Sequence, residues 1–86
     1  MALPKLKWED TDSSNVGRVA YHMDTKTLIV EFRNGGLYSY SDVDEPTYWN
    51  MMGSESVGRY LNAVIKGLHT YEKFVSEADL LQSLQR

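Results

Sequence analysis

The stretch Thr27 to Ser41, TLIVEFRNGGLYSYS, constrains this chain more than any other feature. Two β-favouring runs meet across a glycine-containing turn, which is the pattern of a β-hairpin. Side chains alternate along a strand, so Leu28, Val30 and Phe32 share one face while Ile29, Glu31 and Arg33 share the other. A two-residue loop at Asn34-Gly35 would place Phe32 opposite Leu37 and turn Tyr38 and Tyr40 to the Glu31/Arg33 face. A three-residue loop at Asn34-Gly35-Gly36 would instead pair Tyr38 with Phe32 and Tyr40 with Val30. Glu31, Arg33, Ser39 and Ser41 would then form a polar face. Only the second register separates apolar from polar, and a one-residue slip is costly when one face is buried. The three-residue loop is therefore expected, with both tyrosines in a partly buried core.

A preceding run, Val16 to Met23, ends at the turn-prone Asp24-Thr25-Lys26, so the region reads as a three-stranded meander. After Asp42 the period becomes helical. Pro46 suits a first turn capped by Asp44 or Glu45, with Tyr48, Met51 and Met52 on the apolar side and Gly53 at the end. A second helix is expected from Glu55 to Lys66, with Ser54 or Ser56 near its cap and Gly67 closing it. Its core stripe is Val57, Tyr60, Leu61, Val64 and Ile65. Residues 68–75 have extended character. Ser76 and Asp79 then form a capping-box pattern, Val75 and Leu80 hold the staple positions, and Leu80, Leu81 and Leu84 make an apolar stripe. A helix this short is marginal alone, so it must close the chain's own core or dock on a partner. The expected fold is α+β: a three-stranded antiparallel meander packed against two helices, with a C-terminal helical extension. Residues 1–12 read as a flexible leader from which Trp8 can tuck onto the core, 13–75 as the domain, and 76–86 as the C-terminal helix.

Eighty-six residues leave room for one domain. With no cysteine, disulfides, thiolate zinc sites and iron–sulfur ligation are excluded. His22 and His69 each lack a neighbouring ligand at metal spacing, and Gly35-Gly36 belong to a hairpin rather than a phosphate-binding loop. Ser13, Ser14, Ser54 and Ser56 lie beside turns, without the base and acid that a nucleophile needs. No enzyme, cofactor or metal is expected. No stretch approaches the roughly 20 apolar residues of a membrane span. The start, MALPKLKWEDTD, lacks the apolar region of a signal peptide. The expected location is the cytoplasm, with no membrane partner.

Binding is what remains. A net charge of −3 exerts no global pull on nucleic acid. Locally, Arg33 emerges from the sheet, and Arg59, Asn62 and Lys66 share the outer side of the second helix. With Arg18 they would make a basic patch able to hold phosphates, with tyrosines or Trp49 at its rim to stack bases. From the residues alone, a protein-interaction module stands somewhat ahead of this nucleic-acid reading. The acidic balance supports it, and Leu80, Leu81 and Leu84 supply a surface.

The stretch SSNVGRVAYHMDTKTLIVEFRNGGLYSYSDV, followed by YWNMMGSESVGRYLNAVIKG, resembles the KTSC domain family. That family is named from the C-terminus of some lysyl-tRNA synthetases and also occurs as small single-domain bacterial proteins. The likeness runs from Ser13 to Gly67. It is carried by Ser13-Ser14-Asn15, Tyr21, the alternating Leu28, Val30 and Phe32, then Gly35 and Tyr38-x-Tyr40. Val43, Tyr48, Ser56-x-Gly58-Arg59-Tyr60, Asn62 and Ile65 follow in order. Three positions depart from the pattern: the proline expected after Val43 is delayed to Pro46, Leu61 stands for phenylalanine, and Val57 stands for lysine, which removes one phosphate contact. RNA binding has been suggested for that family, whose function is otherwise unassigned, so the expected function is a non-catalytic binding module for RNA, single-stranded or structured, with a protein-interaction module as the alternative. Tyr38, Tyr40 and Ser56 would join Arg59 and Asn62 around a polar cleft where sheet meets helices. The structural reading of the same motif is that Gly58 and Asn62, four apart on one helix side, allow a close approach at Gly58 and a side-chain amide hydrogen bond from Asn62. Ser13 and Asn15 can fix the backbone entering the first strand.

Overall fold

The computed structural model describes residues 6–11 and 13–84. The first five residues of the expected leader and the last two of the expected C-terminal helix lie outside them. Five antiparallel strands lie side by side in sequence order: β1 (Glu9–Asp10), β2 (Val16–His22), β3 (Thr27–Phe32), β4 (Leu37–Tyr40) and β5 (Tyr71–Phe74). Three helices accompany them: α1 (Glu45–Met52), α2 over residues 57–68, and α3 (Glu77–Ser83). The expected three-stranded meander with two helices and an extension is thus corrected to a five-stranded sheet with three helices. Both additional strands are edges. β1 is only two residues long and falls in the segment read as a leader. β5, Tyr-Glu-Lys-Phe, is mostly exposed and so carries no apolar alternation to read.

The β3–β4 loop is Arg33-Asn34-Gly35, closed by Phe32 N–H donating to the Gly36 carbonyl at 2.8 Å. Gly35 supplies the positive φ, +95°, that a three-residue loop of this kind requires at its last position. Tyr38 consequently lies opposite Val30 and Tyr40 opposite Leu28, two residues from the expected register. A shift of two preserves the faces, so both tyrosines stay on the Leu28/Val30/Phe32 side. A bulge at Gly17, between Val16 and Arg18, brings Val16 and Val19 onto that same side although they are three residues apart.

The first core lies there, where Val19, Leu28, Val30 and Tyr40 meet Met51 of α1 and Leu61 and Ile65 of α2, all fully or almost fully buried. The other face of the sheet is also covered, contrary to the polar face expected. Ala20, Ile29 and Leu37 form a second core with Leu80 of α3, and Leu6, Trp8, Phe74 and Leu84 pack against it. Leu80 is completely buried, so the stripe proposed for a partner is mainly spent inside the chain.

Capping residues start each helix. The Asp44 carboxylate accepts from Thr47 N–H at 3.2 Å with Pro46 in the first turn, the Ser56 hydroxyl accepts from Arg59 N–H at 3.3 Å, and the Ser76 hydroxyl from Asp79 N–H at 3.2 Å. The middle of α2 departs from α geometry. Val57–Tyr60 and Lys66–Leu68 are α-helical, but Leu61–Ile65 is a π turn in which Lys66 N–H donates to the Leu61 carbonyl. The helix passes Gly67 and ends only at His69, which is extended.

Candidate functional site

On the first face, towards β4 and β5, the helices leave open a groove of about 770 Å³. Phe32, Tyr38, Tyr40 and Tyr71 supply four aromatic rings, Arg33 and Lys66 supply two cations, and Ser14, Asn15 and Asn34 complete the lining. Among the described residues no carboxylate lines it, in a chain whose net charge is −3.

The strands fix the rings. Tyr40 and Tyr71 are cross-strand partners. Tyr71 lies 5.8 Å from the Tyr38 ring and 6.2 Å from that of Tyr40, centre to centre, and Phe32 meets Tyr38 edge to face at 5.4 Å. Tyr40 is buried and forms a wall; burial, with Tyr38 and Tyr71 alongside, pushes its hydroxyl above the ordinary tyrosine range. Tyr71 is 65% exposed. What distinguishes Tyr71 from the other exposed large side chains, such as Trp49, is that it shares the groove lining with Arg33 and Lys66.

The two cations are held differently. The Arg33 Nε donates to the Ser13 carbonyl at 2.8 Å and its Nη2 to the Thr11 carbonyl at 2.9 Å. Its remaining N–H donors make no hydrogen bond to another described residue. Lys66 Nζ stands 5.3 Å from the centre of the Phe32 ring, within cation–π range, and has no carboxylate partner among the described residues.

The other sequence-selected residues lie elsewhere. Arg18 is on the opposite face, where its Nε and Nη2 donate to Glu31 at 2.9 and 3.2 Å and its guanidinium lies 4.0 Å over the Trp8 ring. The hydrogen bond to Glu31 is the main reason its pKa is raised further. Ser56 lines a separate cleft of about 220 Å³ with Asp10, Glu55, Met52, Val57 and small polar residues. Arg59 and Asn62 are exposed and line neither cavity. The π turn explains part of this separation. It lies between Arg59 and Lys66 and interrupts the uniform α spacing on which their grouping rests. Tyr38 and Tyr40 are thus brought together with Arg33 and Lys66, but not with Ser56, Arg59 or Asn62. Sequence reasoning missed Tyr71, whose signal is a position shared with Lys73 on one face of a short edge strand. It also missed the groove roles of Phe32 and Asn34.

Among the described residues, no three His, Asp or Glu side chains converge as a metal site, and no helix is long and apolar enough to cross a membrane.

Comparison with known proteins gives a consistent picture. Residues 12–76 match the family described as KTSC domain. A lysine–tRNA ligase from Nostoc punctiforme is 32% identical over 73 residues, which is 85% of this chain but 12% of that protein. An uncharacterized protein of Stutzerimonas stutzeri is 33% identical over 57 residues, 66% of this chain and 80% of its own length. The crystal structure of a KTSC domain protein from Yersinia pestis superposes with a TM-score of 0.77 at 31% identity, covering 81% of this chain and 99% of that one.

Proposed function

Because this chain belongs to the KTSC domain family, we propose that it is a small non-catalytic binding module that takes single-stranded RNA in the aromatic groove. The observation that carries this reading is that the exposed Tyr71 ring and the half-buried Tyr38 and Phe32 rings share a groove with Arg33 and Lys66, without a carboxylate among the described lining residues, on an otherwise acidic chain. Bases stack on aromatic faces irrespective of sequence, while cations hold the backbone. Tyr71 and Tyr38 supply the faces. Lys66 and the free edge of Arg33 supply the phosphate contacts. The likeness to part of a lysine–tRNA ligase supports an RNA setting, that protein being named for a tRNA.

Fluorescence anisotropy with a labelled six-nucleotide RNA, titrated at several salt concentrations, tests the reading. Binding should weaken linearly in log–log form, and Lys66→Ala should lower the slope by about 0.7, as expected for one single-strand phosphate contact. Tyr71→Ala should cost about 1–3 kcal/mol of binding, the range for loss of one stacked base. Binding that ignores both substitutions would place the RNA elsewhere.

A further inference from the structure

We infer that the site does not end at the groove but continues over the β4–β5 edge into a second nucleotide subsite, in which Lys73 holds a phosphate. The inference rests on the reading of the groove as a single-strand site and specifies the ligand as an extended strand rather than one nucleotide. A neighbouring depression of about 590 Å³ lies towards the hairpin loop, lined by Gly35, Gly36, Lys73, Phe74 and Val75. Tyr38 and Asn34 line both cavities, so the two share a wall rather than lying on separate surfaces. Like the groove, this depression has no carboxylate among its described lining residues.

The geometry gives a chain of alternating cation and ring. Lys66 Nζ is 5.3 Å from the Phe32 ring, Phe32 meets Tyr38 at 5.4 Å, and Lys73 Nζ is 5.9 Å from the Tyr38 ring. One ammonium therefore flanks each end of an aromatic pair. Neither lysine has a carboxylate within ion-pair distance among the described residues. The strand register separates Lys73 from its acidic neighbour, because Lys73 pairs with Tyr38 on the groove face whereas Glu72 pairs with Ser39 on the other. Val75, 96% exposed, adds an apolar surface at the far end for a sugar or base edge. Repeated cations along a line of rings, without interleaved acids, complement a polyanion with stackable bases.

The test compares labelled diuridylate and hexauridylate on the full chain and on the Lys66→Ala and Lys73→Ala variants, with Lys73→Arg as the charge-preserving control. Lys66→Ala should weaken both ligands. Lys73→Ala should weaken the hexamer severalfold and lower its salt slope by about 0.7 while leaving the dimer unchanged; Lys73→Arg should restore hexamer binding. If Lys66→Ala acts but Lys73→Ala does not, the extension is overturned and the groove reading survives. If neither oligonucleotide binds the parent chain, both are overturned. Equal affinity for a six-base-pair duplex would also overturn the path across Tyr38, since paired bases cannot stack on it. An acidic peptide competing equally with the hexamer would overturn it as well, by showing that charge alone is recognised.

Discussion

A Cβ added to Gly58 would stand 2.7 Å from the hydroxyl oxygen of Ser13. That oxygen is not free to move aside, because it accepts from the backbone N–H groups of Asn15 and Val16, both at 3.2 Å. The start of β2 and the first turn of α2 are thereby locked against each other. Gly58→Ala should destabilise the chain by about 1–3 kcal/mol through overpacking, partly offset by up to about 1 kcal/mol of helix propensity. In a Ser13→Ala background the obstructing oxygen is gone, and the same substitution should become neutral or stabilising. Urea denaturation of the four proteins in this cycle checks the reversal; an equal cost in both backgrounds would mean the contact is not the cause.

Both members of this pair are legible in the amino-acid sequence, since a glycine inside an otherwise good helix and a serine ahead of a strand each ask for a structural reason. The hairpin is legible to the level of its faces and no further. Loops at residues 33–35 and 34–36 give registers two residues apart, and both leave Tyr38 and Tyr40 with Val30 and Phe32. Parity therefore cannot choose between them.

The second core is hidden for a different reason. Glu31, Arg33 and Ser39 make one face read as polar, while Ile29 and Leu37 on that face need a cover that lies far along the chain, in α3. Leu80 supplies it. Leu80→Ala should cost about 2–5 kcal/mol, the range for a fully buried leucine. A chain ending at Val75 should lose its cooperative unfolding transition, rather than remain a folded domain lacking an appendage. Near-ultraviolet circular dichroism and urea melts distinguish these outcomes; a loss below about 1 kcal/mol would show that α3 merely rests on the surface.

The groove is half legible. Arg33, Lys66, Tyr38 and Tyr40 stand out as cations and rings on identifiable elements. Tyr71 does not, because β5 shows no apolar alternation. A uniform helix would group Arg59 and Asn62 with Lys66, and the π turn interrupts that spacing.

Burial raises the hydroxyl pKa of Tyr40 and Tyr48, and of Tyr21, where the carboxylates of Glu45 and Asp44 add to it. In the unfolded chain these groups ionise near pH 10, whereas the folded chain holds their protons to higher pH. The unfolded state then binds fewer protons, so stability falls as pH rises. The contribution is fully present below the unfolded value and is lost from about pH 10 up to the folded values. Urea midpoints measured from pH 8 to 11 should fall most steeply at the top of that range. Tyr40→Phe, which leaves the ring and removes the titrating group, should flatten the fall; an unchanged slope would argue that other groups dominate.

Arg33 has two roles that one substitution can separate. Its hydrogen bonds to the Ser13 and Thr11 carbonyls hold the segment between β1 and β2, and the residue also lines the groove. Lysine preserves the charge but cannot reproduce a planar fork that reaches two carbonyls at once. Arg33→Lys should therefore keep most of the RNA salt slope while loosening the segment. The loosening should appear as faster hydrogen exchange at Thr11 N–H, which donates to the Gly17 carbonyl at 3.1 Å. Lys66→Ala should do the reverse, lowering the slope with no change at Thr11. If Arg33→Lys abolishes binding and leaves exchange untouched, the bonds to Ser13 and Thr11 are not what orders the segment, and the guanidinium acts chiefly on the ligand.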